Sequence, residues 1–201
     1  MTTCHPADER LEALVDDAMS IPGFLHREEC RALIDAAVSS RGDIVEIGAW
    51  QGRSTSLLAA AIKGSERSRR LFVIDNYVVP PGVKYFRGSP QLLFGNLARF
   101  DLSPDVFLRM TSAEAARQLN LAPGMVFIDA DHRREQLECD VESWCYRLHP
   151  GSCVAFHDYR HPRWPDVQMC VDEWLARMGR RVRVIALVDR LLLTSVEEGQ
   201  T

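Results

Sequence analysis

Two apolar runs end in ionisable groups. MVFID at 125–129 leads through Ala130 to Asp131 and His132, and CVAFHD at 153–158 closes on His157 and Asp158, with Tyr159 beside them. Carboxylates grouped with an imidazole can hold a hard divalent cation. The imidazole alone can take a proton near pH 7. Two earlier runs end in different chemistry. DIVEIG at 43–48 carries Glu46 and Gly48 and continues to Gly52, and LFVID at 71–75 ends in Asp75. Glycines there let the backbone approach a ligand closely. Asp75 follows Gly52 by roughly the 20 residues expected of an acid that binds ribose hydroxyls. An acid at 46 would repel a pyrophosphate, and the loop reads GxxxG rather than GxGxxG. No GxxxxGK[ST] occurs in the chain, so neither phosphate-binding pattern is met.

The runs that carry these residues alternate with helical patterns. Leu11, Leu14, Val15 and Ala18 repeat at helical spacing, as do Cys30, Leu33, Ile34 and Ala37, with Pro22 and Gly23 between. Strands are expected at 43–48, 71–75, 106–110, 125–129, 153–158, 182–187 and 191–196. Helices are expected at 54–63, with Gly64 as its C′ residue, and from the Thr111/Glu114 capping box to about Leu121. Two more are marked by Leu137, Val141, Trp144 and Leu148, and by Val167, Val171, Trp174, Leu175 and Met178. The fold class is therefore α/β: one Rossmann-like, doubly wound, seven-stranded sheet. It is mostly parallel, with an antiparallel C-terminal hairpin strand and helices on both faces. One domain is expected, with residues 1–40 as a helical extension, 41–201 as the cofactor-binding core and 77–104 as a lid-like insertion.

In such a sheet ligands sit at the carboxyl ends of the strands, where Glu46, Gly48, Gly52 and Asp75 together describe a site for a nucleoside with a cationic tail. S-adenosylmethionine has that chemistry. VEIGAWQGRST, LFVID, FIDADH and HPGSCVAFHDY, read in order over residues 40–196, resemble the small class I SAM-dependent methyltransferases. The likeness is to the branch of catechol-type, macrocin-type and cephalosporin-hydroxylase-like O-methyltransferases. It implies methyl transfer to an oxygen of a small molecule. By that resemblance Gly48 and Gly52 wrap the methionine end, Asp75 holds the ribose and Ser112 contacts adenine; Ser112 also reads as a helix cap. The resemblance further implies Asp129 and Asp158 as ligands of a divalent metal such as Mg²⁺, with Asp129 also beside the cofactor, and His132 as general base. Metal-dependent relatives carry a carboxylate where this chain has His157, which leaves the metal open and offers His157 as a second candidate base.

The remaining sequence narrows the alternatives. The chain has 201 residues, 46% hydrophobic and 26% charged, with net charge −4. That is a globular composition without the basic face of a nucleic-acid binder. No apolar run is long enough to span a bilayer, and MTTCHPADER lacks a signal-peptide core, so a cytoplasmic protein is expected. The six cysteines include no CxxC pair and read as reduced core thiols. Lys84 and Arg87 hint at an anionic substrate, and the N-terminal helices could pair with a second copy. His5, His26, His149 and His161 carry no motif for the site. The competing readings are an NAD(P)-dependent oxidoreductase and a non-catalytic nucleoside-binding scaffold on the same fold.

Overall fold

The computed structural model describes residues 6–65, 68–79 and 88–198. Cys4, His5, Lys84 and Arg87 lie outside them, as does the 80–87 part of the expected lid. Among the described residues there are seven α-helices and seven strands: α1 (Pro6–Met19), α2 (Arg27–Ser39), β1 (Ile44–Ile47), α3 (Arg53–Lys63), β2 (Leu71–Ile74), α4 (Pro90–Ala98), β3 (Val106–Leu108), α5 (Ser112–Gln118), β4 (Met125–Ile128), α6 (Arg134–Trp144), β5 (Cys153–Phe156), α7 (Pro165–Met178), β6 (Val182–Val188) and β7 (Leu191–Val196). The sheet order is β3-β2-β1-β4-β5-β7-β6. All pairings are parallel except those of β7, which runs antiparallel to both β5 and β6. The order reverses between β1 and β4, where a crevice opens at the carboxyl ends.

Strand alternation divides the core in two. Ile44, Leu71, Val73, Met125, Phe127 and Ala155 face α1, α2 and α3. Val45, Ile47, Phe72, Ile74, Val126, Ile128 and Val154 face α5, α6 and α7. The first 40 residues do not stand apart as an extension. Val15, Ala18, Cys30, Leu33 and Ile34 are buried in the same cluster as Ile44 and Leu57. In the 77–104 segment, α4 starts at an N-cap Ser89 and buries Leu93 and Leu97 in that cluster too. This half of the insertion is core rather than lid.

Several boundaries move. β5 stops at Phe156, and Asp158 takes a left-handed backbone with φ 57°. The chain there turns out of the strand and into the site. α5 ends at Gln118, and Leu119 is already extended. Gly64 closes α3 with φ −82°, so no left-handed cap is used. Cys30, Cys139, Cys145, Cys153 and Cys170 are free thiols, most of them buried. Among the described residues no helix is long and apolar enough to cross a membrane.

Candidate active site

A cavity of about 900 Å³ opens over the β1/β4 crevice. Its wall draws on the loops after β1, β2, β3, β4 and β5, the α1–α2 connection and the turn between β6 and β7. At β1 the chain must pass close to β4. Gly48 has φ 89°, and a Cβ there would lie 2.1 Å from the Asp129 carbonyl oxygen, so no other residue fits without moving the backbone. Gly52, with φ 97°, is the N-cap of α3. The loop between them is held by Asp75. Its Oδ2 accepts the Ala49 and Trp50 amides at 2.9 and 3.0 Å, and its Oδ1 accepts the Tyr77 amide at 2.7 Å. Asp75 lines the cavity and retains lone pairs for a ligand hydroxyl.

Glu46 departs from the expected open carboxylate. Strand alternation turns it towards α3, it is fully buried, and it is not part of the cavity wall. The Ser54 hydroxyl donates to its Oε1, and Ser54 does line the cavity. Burial pushes the Glu46 carboxyl up to about 8; the Ser54 hydroxyl opposes this, and the Asp129 and Asp75 charges add to it. Without a ligand the group is largely neutral at pH 7. A cation in the cavity would favour its charged form.

The ends of β4 and β5 lie side by side, because Ile128 pairs with Phe156. Past them, His157 is buried among three carboxylates. Its Nδ1 is 3.1 Å from Asp129 Oδ1 and 3.5 Å from Asp158 Oδ2, and its Nε2 is 3.5 Å from Glu29 Oε1. Burial alone would lower its pKa, but the Asp129 charge and the contacts to Asp129, Asp158 and Glu29 push it up to about 12. His157 is thus a fixed imidazolium and lies outside the cavity wall. It cannot serve as a base at neutral pH.

His132, by contrast, is on the cavity side. It lines the cavity, its ring stacks on Trp164 with centroids 4.7 Å apart, and its Nε2 lies 2.9 Å from Asp158 Oδ2. The approach to Asp158 lacks ideal hydrogen-bond alignment. The short contact fixes the ring edge. Asp158 is held well below the usual carboxylate range; burial opposes this, and His132 and His157 overcome it. Asp131 is committed elsewhere, with the Arg133 Nε 2.9 Å from its Oδ2.

Across the cavity, Ser112 is the first residue of α5, and Thr111 is the actual N-cap. The Ser112 hydroxyl donates to Asp140 Oδ1, which Gln136 Nε2 also reaches at 3.2 Å. All three residues line the cavity. Asp140 is buried, and burial pushes its carboxyl up to about 6.

Sequence reasoning passed over Glu29, Trp164 and Asp140. Each left a signal. Glu29 sits three residues after the N-cap His26 as the acid of a capping box. Asp140 lies on the buried face of α6 with Leu137, Val141 and Trp144. Trp164 belongs to the proline-bounded HPRWP loop, which covers His132 instead of lying idle on the surface.

Asp129, His132 and Asp158 each offer one atom within 4.8 Å of the others, a spacing that would admit a metal ion. The donor chemistry fits a divalent cation poorly. Asp129 and Asp158 already neutralise the His157 imidazolium, and a second cation would sit against it without the carboxylate that metal-dependent enzymes place there. Asp129 and Asp158, the expected metal ligands, instead both contact the His157 side chain.

A family model described as a methyltransferase domain matches residues 45–159. Solved structures share the fold at low identity. CalS11, a calicheamicin methyltransferase, aligns with a TM-score of 0.63 and 18% identity, covering 96% of this chain and 94% of that one. The O-methyltransferase NovP gives 0.69 and 16%, covering 95% and 81%. An O-methyltransferase from Bacillus cereus in complex with SAH gives 0.65 and 18%, covering 98% and 94%.

Proposed function

From the premise that this chain belongs to the methyltransferase domain family, whose model spans residues 45–159, we propose that it moves the methyl group of S-adenosylmethionine to an oxygen of a small-molecule acceptor, with His132 as general base. The acceptor oxygen attacks the methyl carbon in line with the departing sulfur. The C–S bond breaks, its electron pair stays on sulfur, and S-adenosylhomocysteine leaves. The acceptor proton passes to His132.

One observation carries the role of His132: an imidazole on the cavity wall, stacked on Trp164 and held 2.9 Å from Asp158 at Nε2. With Nε2 buried against Asp158, Nδ1 is the nitrogen left to accept the proton. Fixing a base in this way is the positioning that general-base catalysis needs. For the cofactor, Asp75 would take the ribose hydroxyls, the Gly48–Gly52 loop the methionine end, and Ser112 with Asp140 and Gln136 the adenine. Asp129 supplies negative potential near the sulfonium and ammonium, to which Glu46 adds once the bound cation favours its charged form. Acceptor oxygen chemistry is supported by the fold's company, since NovP and the Bacillus cereus protein are both titled O-methyltransferases.

Differential melting tests the cofactor. S-adenosylhomocysteine at 100 times its Kd should stabilise the fold by about 2.7 kcal/mol, and NAD should leave the melting temperature unchanged. Stabilisation by NAD alone would reverse the reading in favour of a hydride-transfer enzyme.

A further inference from the structure

Four arginines line the cavity among the described residues, and two of them have no internal task. Arg53 is spent on backbone, donating to the Ile21 carbonyl at 2.9 Å and the Leu25 carbonyl at 2.6 Å. Arg133 is spent on Asp131. The guanidinium groups of Arg163 and Arg190 make no hydrogen bond or ion pair among the described residues. Both lie on the His132 side. Asp158 on this wall is already held by His132 and His157. Asp166 shares the wall and pairs with neither arginine.

Arg190 is placed with care. It follows Asp189, whose φ is 50°, in the turn between β6 and β7. Its amide donates to Glu29 Oε1 at 3.0 Å, and its carbonyl accepts the Tyr159 amide at 3.0 Å. Glu29 is 1% exposed, and its other oxygen accepts the His26 amide at 2.7 Å. His26 Nδ1 in turn lies 2.6 Å from Asp189 Oδ2. A buried carboxylate is a costly way to brace a hairpin turn. Glu29 and the Tyr159 amide together fix the Arg190 backbone from both sides, while the side chain stays uncommitted at the cavity. His161, on the same wall, reports the neighbourhood. Its imidazole is held below the usual value by burial first and then by the Arg190 and Arg163 charges, against Asp158.

A guanidinium is a rigid fork matched to planar or tetrahedral oxyanions. We propose that Arg163 and Arg190 bind an oxyanion on the methyl acceptor, so that the substrate class is a hydroxyl compound bearing a carboxylate or a phosphate. This rests on the methyl-transfer reading of the cavity. It adds what that reading leaves open, the charge of the acceptor.

The test is calorimetric titration of inorganic phosphate and of benzoate into the full chain at constant ionic strength, with and without saturating S-adenosylhomocysteine. Wild type should bind at least one of the two. R163Q and R190Q should each weaken that binding by about tenfold and leave S-adenosylhomocysteine affinity unchanged. R183Q removes a charge that pairs with Glu197 outside the cavity, and it should bind as wild type does. Phosphate binding more tightly would assign a phosphorylated acceptor, and benzoate a carboxylated one. No binding of either anion, or equal binding in R163Q and R190Q, would overturn the proposal. The titrations without S-adenosylhomocysteine keep the two claims apart. Anion binding that R190Q removes would stand even if the cofactor failed to bind.

Discussion

His157 Nδ1 lies 3.1 Å from Asp129 Oδ1, and the His157 side chain is only 3% exposed. Asp158 and Glu29 close the ring around it. This buried imidazolium joins the ends of β4 and β5 to the start of α2. Replacing it with glutamine takes the charged partner from Asp129 and weakens the hold on Asp158 and Glu29, and it should cost about 3–5 kcal/mol in urea unfolding at pH 6. A cost below about 1 kcal/mol would show that the cluster is not held by charge.

The same pair gives a pH signature. The folded pKa of His157, about 12, is raised above the ordinary value near 6.5. Its contribution is therefore present in full below about pH 6.5, shrinks as pH rises, and is gone once pH passes about 12. The stability gap between wild type and H157Q should be smaller at pH 9 than at pH 6. An equal gap at both would contradict an imidazolium at this site.

Glu46 should behave in its own way. Its folded pKa, about 8, is raised above the carboxylate value near 4.5. The unfolded chain loses that proton first, so the group costs stability progressively as pH climbs from about 4.5 to 8. E46Q should raise the melting temperature of the ligand-free protein, with the gain growing from pH 5 to pH 8. In wild type, S-adenosylmethionine should bind more tightly as pH rises through 8, and E46Q should flatten that dependence. A destabilised E46Q would refute the buried neutral carboxyl.

Asp75 carries two duties, bracing the loop through the Ala49 and Trp50 amides and facing the cavity. D75A should weaken S-adenosylhomocysteine by about tenfold or more, because ribose hydroxyls lose a charged acceptor. D75N keeps one acceptor oxygen and should fall between. Equal affinity in all three proteins would remove Asp75 from the ribose subsite.

Much of this was legible in the sequence. Short continuous apolar runs marked the central strands, and 191–196 was read to the residue, because a strand buried on both faces shows as an unbroken local run. Gly48, Gly52, Asp75 and Asp129 also follow from local position at strand ends. What escaped depends on distant pairs. Glu29 meets Arg190 from 161 residues away, and only the antiparallel return of β7 beside β5 brings them together. His132 and Trp164 meet because the HPRWP loop folds back over the carboxyl edge. The direction of Glu46 was readable after all. It shares a face with Ile44, so alternation alone sends it to α3 rather than to the ligand.

The most direct test of the account is release of S-adenosylhomocysteine from S-adenosylmethionine across a panel of hydroxylated acids and phosphates, run in EDTA with wild type and with H132N. Wild type should turn over at full rate in EDTA. H132N should be about 10²–10⁴-fold slower and bind S-adenosylhomocysteine as wild type does. Turnover that appears only on adding Mg²⁺, or that survives H132N undiminished, would contradict it.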